Sequence, residues 1–531
     1  MPLPDGGTPW PPPNLTPVLD KITEWATWYG GDPHHLAVYY GGETDGAFDS
    51  VSRARLNRPS QYRGGAQGAL ARWWWGQPVP VGERRTKVHV PLAGDIASIS
   101  ADLLFSEPPT FTVDDPATQA ALDEFVDEGL QATLLEGAEL CSALGGVYLR
   151  NCWDADIRDR PWIDVVHADA AVPEWRWGKL QAATFWRVLH EDDHIVVRHL
   201  ERHEKGAIFH GVYEGTADKL GHLIPLTEYA ETAALADVVI DGNRVETGID
   251  MLTCGYVPNV RPNRLWRNLP AAANLGRSDY AGSEGLMDSL DETYSSLMRD
   301  VRIGKGRLVV PDSYLQNLGP GQGALFQDRE VYQSFQGLPK EGLDIQKFQF
   351  DIRVEQHLAT SQDLVVQIVR SSGYSAQSFG LTGEVAMTAT EAKAKERRSF
   401  ITRDKKINYW LPELADRVEA HLHLAAAIFG AEIAPQRPKI TFGDTVSEDT
   451  KSLAETAELL FRAQAASTRE RVRLVHPEWD DVAIDKEVEA IKEENEEPPL
   501  VGDPFAIQPG PPALEPPAGD EEPPDDGPPE E

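Results

Sequence analysis

The residues best suited to catalysis lie in HEDDH, residues 190–194 of this 531-residue chain, which matches the HExxH pattern of zinc proteases. That pattern holds zinc only on a helix, where the two histidines share one face and the glutamate acts as base. Here the strand-like sequences ATFWRVL and IVVRHL flank it, so we interpret EDD as a turn. The alternatives are a polar hairpin tip with solvated histidines and a metal site with His199 and His203 as further possible ligands.

Other catalytic patterns are missing from the sequence. It contains no GxxxxGK[ST], and GKG at residues 304–306 lacks both the preceding glycine and the following Ser or Thr. There is no GxSxG and no CxxC pair. Cys141, Cys152 and Cys254 make an odd number without metal-site spacing, which fits a reducing cytoplasm. We therefore expect no catalytic residues, no metal, no cofactor and no enzymatic activity.

Two stretches have residues that could contact nucleic acid. The WWW run at residues 73–75 could stack on bases, or it could pack in a core or subunit interface. Residues 391–406 contain seven basic side chains against three acidic ones, a weak excess for tight binding to DNA. These groups could face DNA or pair with acidic residues of neighbouring subunits. The seven are Lys393, Lys395, Arg397, Arg398, Arg403, Lys405 and Lys406.

The chain as a whole is acidic, with a formal net charge of −35. Residues 501–531 contribute nine Asp and Glu, together with ten Pro and no Lys or Arg. Such a segment cannot bury enough apolar surface to fold, so we expect a disordered tail. A protein this acidic would not coat DNA, although it could surround it. No stretch reaches 18 consecutive apolar residues, so we expect no membrane span.

The basic stretch belongs to a long predicted helix, residues 388–430. Thr388 and Glu391 have capping-box spacing, Pro412 should kink or restart the helix, and Gly430 should end it. The basic half suggests a helix that leaves the core of its own subunit. The apolar stripe of the second half comprises Ile407, Trp410, Leu411, Leu414, Val418, Leu422, Ala425 and Phe429.

The elements before this helix form an unusual series. Residues 278–303 and 351–370 have helical periodicity, and short β sequences broken by Pro and Gly lie between them. A loop rich in Gly and Ser, residues 371–387, then leads into the long helix. This loop follows a helix and not a strand, so it fails as a phosphate-binding loop and is better explained as a flexible loop facing an opening.

The remaining sequence predicts an α+β protein. We expect a helix from Thr16, as N-cap, to Tyr29, with Val18, Ile22, Trp25 and Tyr29 on its buried stripe. Residues 147–257 read as strands, with turns at 191–193 and 204–206. The further predictions are helices at 91–109, 116–145, 448–465, 467–474 and 485–494, and a strand, KITF, at 439–442.

The sequences GYSAQSFGLTGE and TATEAKAKERRSFITRDKKINYWLPEL, with ADLLFSEPP earlier, resemble the portal (head–tail connector) proteins of long-tailed double-stranded DNA phages, of an actinobacterial-phage type. The resemblance implies the α+β portal fold and its divisions. These are a wing (1–277), stem helices (278–303 and 351–371) around a clip (304–350), a tunnel loop (372–387), a long kinked helix with a returning wing strand (388–446), a helical crown (447–495) and a disordered tail (496–531).

The resemblance also implies a function and its sites: a ring, typically of twelve subunits, at one capsid vertex of a virion assembled in the host cytoplasm. Double-stranded DNA would pass through it, and its partners would be the terminase large subunit, head-completion proteins, the major capsid protein and a scaffold. Alternatives are another virion adaptor or scaffold protein, or an enzyme. The implied tunnel-loop residues are Tyr374, Ser375, Gln377, Ser378, Phe379, Gly380, Thr382, Gly383 and Glu384. The implied channel-side basic residues are Lys393, Lys395, Arg397 and Lys405, and the implied clip docking residues are Leu308, Tyr314, Phe326, Tyr332 and Phe335.

Overall fold

A computed structural model describes most of the chain, which divides into two compact units, residues 1–446 and 447–531. No helix among the described residues is both long and apolar enough to span a bilayer. The described residues are 3–41, 88–303, 307–311, 316–317, 324–325, 332–335, 346–348, 352–380, 389–443, 450–476, 479 and 481–495.

Helices make up about half of the described chain. In chain order they are α1 (Thr16–Gly30), α2 (Pro33–Gly41), α3 (Leu92–Phe105), α4 (Pro116–Phe125), α5 (Gln131–Leu144), α6 (Ala230–Ala233), α7 (Glu284–Ile303), α8 (Val354–Ser372), α9 (Ala389–Phe429), α10 (Thr450–Arg462), α11 (Thr468–Val475) and α12 (Asp481–Asn495). A π-helical turn, Val126–Leu130, joins α4 to α5.

The strands are β1 (Thr110–Thr112), β2 (Gly146–Cys152), β3 (Trp162–His167), β4 (Ala171–Arg176), β5 (Lys179–Glu191), β6 (Val196–Glu204), β7 (Ala207–Thr216), β8 (Lys219–Ile224), β9 (Arg244–Glu246), β10 (Cys254–Pro258), β11 (Arg307–Pro311), β12 (Gln316–Asn317), β13 (Ala324–Leu325), β14 (Tyr332–Phe335), β15 (Gln346–Phe348) and β16 (Lys439–Thr441). The sheets have the strand orders β4-β5-β6-β7-β8 with β9 on β7, β10-β2-β3, β14-β11-β15, β12-β13 and β1-β16.

The first core of the 1–446 unit forms around α1, whose buried stripe contains Val18, Ile22, Trp25 and Trp28. The sequence predicted Tyr29 in place of Trp28, and Tyr29 is only partly buried. The predicted cap is also wrong, because Leu15 precedes the helix as N-cap and makes no side-chain bond. Pro17 lies in the first turn, where its missing N–H leaves no helical hydrogen bond unmade.

The second core packs α9 on the sheet β10-β2-β3. Trp410, Leu414 and Val418 are buried there with Leu149 and Val257, as the apolar stripe of the sequence predicted. Leu411 is an exception, since 39% of it remains exposed. α9 continues through Pro412 without restarting and ends before Gly430, whose φ of 68° few other residues adopt.

A buried polar contact joins the same helix and sheet. The Arg417 guanidinium donates to Asn151 Oδ1 at 3.3 Å and to the Leu252 carbonyl, while Asn151 Nδ2 donates to the Arg417 carbonyl at 3.0 Å. Burial lowers the pKa of Arg417. Because a charged group buried this deeply needs fixed partners, the contact holds α9 at one position along the sheet.

The six-stranded sheet is an antiparallel meander, as the sequence predicted, and its turns follow β5 and β6. His190 lies near the end of β5 and His194 in the following turn, both exposed, so the HExxH string is not helical. Among the described residues no group of three or more His, Cys, Asp or Glu is placed to hold a metal ion. His199 and His203 are buried in β6 instead.

The buried histidines should make the fold sensitive to acid. His199 and His210 stack with ring centroids 5.4 Å apart, and burial lowers the pKa of His199 to about 3 and that of His210 to about 4. Because these values lie below those of an unfolded histidine, the stabilisation is complete above pH 6.5 and is lost as the pH falls from there towards 4 and 3. The free energy of unfolding, measured by urea denaturation from pH 7 to pH 4.5, should fall with a slope of up to about 1.4 kcal/mol per pH unit for each histidine.

The replacement His210→Gln should reduce this dependence on pH, because it removes one of the buried histidines whose pKa is lowered. The control is His190→Gln, since the His190 side chain is 54% exposed and lies outside the core. Equal pH profiles for His210→Gln and His190→Gln would contradict the assignment.

The 447–531 unit contains α10, α11 and α12. Ser467 caps α11 by accepting a bond from the Glu470 N–H, as the sequence predicted. α12 begins at Asp481, four residues before its predicted start. Val472, Ile484 and Val488 form its small core.

Candidate functional site: the loop between α8 and α9

Two helices, α7 and α8, precede the candidate site in the chain. The strands β11 to β15 lie between these helices in the sequence. His357 Nε2 of α8 lies 3.1 Å from Asp300 Oδ2 of α7, and Ser371 Oγ lies 2.5 Å from Ser283 Oγ. Of the predicted docking residues, Leu308 lies in β11, and Tyr332 and Phe335 lie in β14. Tyr314 and Phe326 lie outside the described residues.

α8 ends before Gly373, where the chain turns sharply into the loop. Gly373 has a φ of 94°, and a Cβ there would lie 3.0 Å from Thr402 Oγ1, so both conformation and space favour glycine. Thr402 Oγ1 of α9 donates to the Gly373 carbonyl at 2.6 Å. The Tyr374 N–H donates back to the Val369 carbonyl at 3.2 Å, which closes the helix end.

Three serines hold the loop against α9. The Ser375 N–H donates to Ser399 Oγ at 3.0 Å, and Ser378 Oγ lies 2.8 Å from the same oxygen. Between them, Ala376–Phe379 form one turn of 3-10 helix, in which Gln377 and Phe379 are partly buried. Gly380 follows, exposed, with a φ of 64°. Thr382, Gly383 and Glu384 lie outside the described residues, and their place in a tunnel stays a prediction.

Tyr374 does not line an opening in this structure, because its side chain is 1% exposed and points into the core. Its hydroxyl donates to Asp279 Oδ2 at 2.8 Å and accepts from Lys406 Nζ at 2.9 Å. Burial raises the pKa of Tyr374 well above its usual value, so the hydroxyl keeps its proton. The sequence placed this residue in the tunnel loop, but its contacts make it a positioning residue for that loop.

Asp279 is the centre of a buried polar cluster that we call the Asp279 cluster. Lys406 Nζ donates to Asp279 Oδ2 and to Ser100 Oγ, each at 2.5 Å. Ser142 Oγ donates to Oδ2 at 2.6 Å, and Asn259 Nδ2 donates to Oδ1 at 2.9 Å. The cluster therefore comprises Ser100, Ser142, Asn259, Asp279, Tyr374 and Lys406.

The cluster explains why α7 starts later than its periodicity predicted. Residues 278–283 form turns and not the first helical turns, and α7 begins at Glu284. The Asp279 N–H donates to the Ser142 carbonyl at 3.1 Å, and the Tyr280 hydroxyl donates to the Trp25 carbonyl at 2.9 Å. Packing of these side chains into the core thus outweighs the helical preference.

The basic half of α9 divides between core and surface. Arg397 and Lys405 are exposed, and neither has an acidic partner within 4 Å in the part of the chain that the structure describes. Lys393 and Lys395 lie in the helix two turns or less before Arg397. Arg403 is buried and its Nε donates to the Leu103 carbonyl at 2.6 Å. Lys406 is buried as well. The sequence predicted that the basic half of α9 leaves the core of its own subunit, and from Ser399 onward this prediction is wrong.

The order of these elements, two helices around a β-rich segment followed by a loop and a 41-residue helix, is the order that the sequence resemblance implied. The sequence profile described as "Phage portal protein, SPP1 Gp6-like" matches residues 19–498. The chain belongs to this family of phage portal proteins. The predicted family and the α+β class are therefore confirmed, and the family is one of structural proteins of the head–tail connector.

Two solved structures are similar to this portal family member over 77% of its chain and 99% of theirs. One is the neck of an empty GTA particle computed with C6 symmetry, at 14% identity and a TM-score of 0.37. The other is the neck of a native GTA particle computed with C12 symmetry, at 15% identity and a TM-score of 0.36. No curated protein sequence matches the chain.

Proposed function

We propose that this portal protein forms a ring, typically of twelve copies, at one vertex of a phage capsid, and that double-stranded DNA passes through it during packaging and ejection. The observation that carries the proposal is the family match over residues 19–498. In the proposed assembly the terminase large subunit docks on residues 304–350, head-completion proteins then replace it, and the major capsid protein surrounds the vertex. An actinobacterial host and assembly in the host cytoplasm are part of the same proposal.

The side-chain arrangement supports a channel at the loop and α9. The loop from Ser375 to Gly380 is tied to α9 through Ser399, so the two would face an opening together. Arg397 and Lys405 are free to meet phosphate, and copies repeated around an axis would place positive charge at one level of an otherwise acidic wall. A mostly negative wall repels the duplex and so avoids a point where it would stick.

The proposal is tested first by mass photometry and negative-stain imaging of the purified chain. We expect particles of about twelve times the 58.6 kDa chain mass, with a central hole. Only monomers and dimers over a wide range of concentration and salt would count against the ring.

The second test removes the exposed charge of α9. We expect Lys393→Ala, Arg397→Ala and Lys405→Ala together to leave rings intact but to lower packaged or retained DNA several-fold, because the belt of positive charge is lost. DNA is quantified by nuclease protection in particles that carry the variant. A matched control removes three exposed charges elsewhere, with Lys439→Ala, Lys486→Ala and Lys492→Ala. Equal DNA content in the two triple variants would contradict the channel assignment of α9.

A further inference from the structure

Trp177 occupies an unusual position at the tip of the β4–β5 hairpin. It is 93% exposed and has a φ of 53°, and Gly178 follows with a φ of 77°. A two-residue turn with both φ positive strongly favours Asn-Gly, and a bulky side chain there is an outlier. Both the strain and the exposed indole oppose folding of a single chain. Burial of the indole by another molecule would account for this position.

The surroundings of Trp177 are basic, although the chain has a net charge of −35. Gly178 lies near Asn274, which accepts a bond from Arg261 at 3.0 Å, so the hairpin tip and the segment 259–277 form one surface. Residues 176–179 and 259–277 contain six basic residues and no acidic one. None of the six has an acidic partner within 4 Å among the described residues. We call this surface the Trp177 knob, and its basic residues are Arg176, Lys179, Arg261, Arg264, Arg267 and Arg277.

A pocket with a mixed apolar and polar lining and an acidic rim lies elsewhere in the same unit. Its volume is about 330 Å³, near the lower limit for ligand pockets, so it suits one large side chain. Ile157 at its edge is 67% exposed, and Gly129 in the π-helical turn, with a φ of 107°, lines it as well. We call it the Ile157 pocket, and its apolar lining comprises Phe125, Leu130, Ile157, Trp162 and Ile163.

The rim of the Ile157 pocket has the opposite charge to the knob. Residues 123–128 and 154–160 contain seven acidic residues and two arginines, a net charge of −5. Both arginines are engaged, since Arg160 lies 2.7 Å from Glu124 and Arg158 lies 3.8 Å from Glu128. Asp159 is 86% exposed and Glu124 is 63% exposed, so the acidic rim can meet a cationic surface.

The knob and the pocket lie at opposite ends of α5. Its first turn contributes Thr133 to the pocket, and Gly145 after its last turn lies against Arg277, whose carbonyl carbon would be 2.9 Å from a Cβ on that glycine. A helix of 14 residues is about 21 Å long, so a copy cannot insert its own Trp177 into its own pocket. Two different complementary surfaces on one chain are what a head-to-tail ring contact needs.

We propose that Trp177 of each copy inserts into the Ile157 pocket of the next copy, with the basic knob facing the acidic rim. The inference rests on the proposed ring and names one of its repeated contacts. Trp and Arg are the residues that most often dominate binding at protein interfaces, and the Trp177 knob contains both.

Cross-linking of the assembled full chain tests the contact directly. In a Cys152→Ser background, the chain with both Trp177→Cys and Ile157→Cys should give a ladder of covalent oligomers with a short bismaleimide. Each single cysteine variant should stay monomeric on a denaturing gel, because position 177 meets only position 157. Rings of the double cysteine variant without a ladder would overturn the contact and leave the portal function intact, whereas no rings from the unsubstituted chain would overturn the proposed function.

Trp177→Asn separates the assembly role from a role in folding. Asparagine suits the turn, so the melting temperature of the unassembled chain should rise, by roughly 1–2 °C for a unit of this size. The concentration needed for half-assembly, measured by mass photometry, should rise by about ten-fold or more because a central aromatic anchor is lost. The matched control is Val238→Asn, which removes another apolar side chain, 58% exposed, and should leave assembly unchanged. Equal assembly of the two variants would refute the contact.

Discussion

Replacing Asp279 with alanine should lower the free energy of unfolding of the 1–446 unit by about 3–5 kcal/mol, because removal of one partner strands the other charge in the core. Lys406 is 2% exposed, so bulk water cannot hydrate its ammonium group. The hydroxyls of Ser142 and Tyr374 lose their acceptor in the same step. The measurement is urea or guanidinium unfolding followed by tryptophan fluorescence. Hydrogen exchange at residues 375–380 should accelerate as well, since Tyr374 no longer fixes the loop.

A double-mutant cycle shows whether the effect belongs to the pair. Lys406→Met alone leaves the carboxylate of Asp279 buried and should be similarly damaging, whereas Asp279→Ala with Lys406→Met should cost clearly less than the sum of the two single changes. Asp164→Ala is the control, because this carboxylate pairs with Arg150 but is 40% exposed and should cost at most about 1 kcal/mol. Purely additive effects at positions 279 and 406 would show that the buried ion pair is not coupled.

Replacing Trp410 with alanine should lower the free energy of unfolding by about 3–5 kcal/mol, because the missing indole leaves a cavity in the core. The indole is 1% exposed and packs edge to face on Phe105 with ring centroids 5.0 Å apart. It also lies against Gly137 of α5, which has no side chain to keep it away. The neighbouring Leu411 is a matched control, since it lies on the same helix and is 39% exposed. Leu411→Ala should change the free energy of unfolding by about 0.5 kcal/mol or less. Similar losses for the two variants, measured by denaturant unfolding, would contradict the packing of α9.

Periodicity and turn residues were sufficient to predict much of the fold. The repeat of Trp410, Leu414 and Val418 predicted the buried face of α9, and the polar residues at 191–193 and 204–206 predicted the turns of the meander. These signals are local, since each depends on spacing within a single element. The sequence predicted Tyr29 in place of Trp28 on the buried stripe of α1. Spacings of three and of four residues from Trp25 both suit a helix, so spacing alone does not choose between them.

The polar interior was not predictable in this way. Lys406 lies on the same face of α9 as Trp410, which is a signal of burial, but its partners Ser100 and Asp279 lie 306 and 127 residues away along the chain. The sequence analysis therefore counted Arg403 and Lys406 among the basic side chains that could face DNA, although both are buried. Trp177 was also missed, since only the backbone shows that this tryptophan occupies a turn position with positive φ.

The Asp279 cluster also determines how the protein responds to mechanical force. A push on the loop at Ala376–Phe379 reaches Tyr374, and its hydroxyl transmits the force to Asp279 and Lys406. From these two residues the strain spreads over α3, α5, α9 and the segment at Asn259, none of which is next to another along the chain. The base of the loop is therefore stiff, because a load applied there is shared by elements that lie far apart in the sequence.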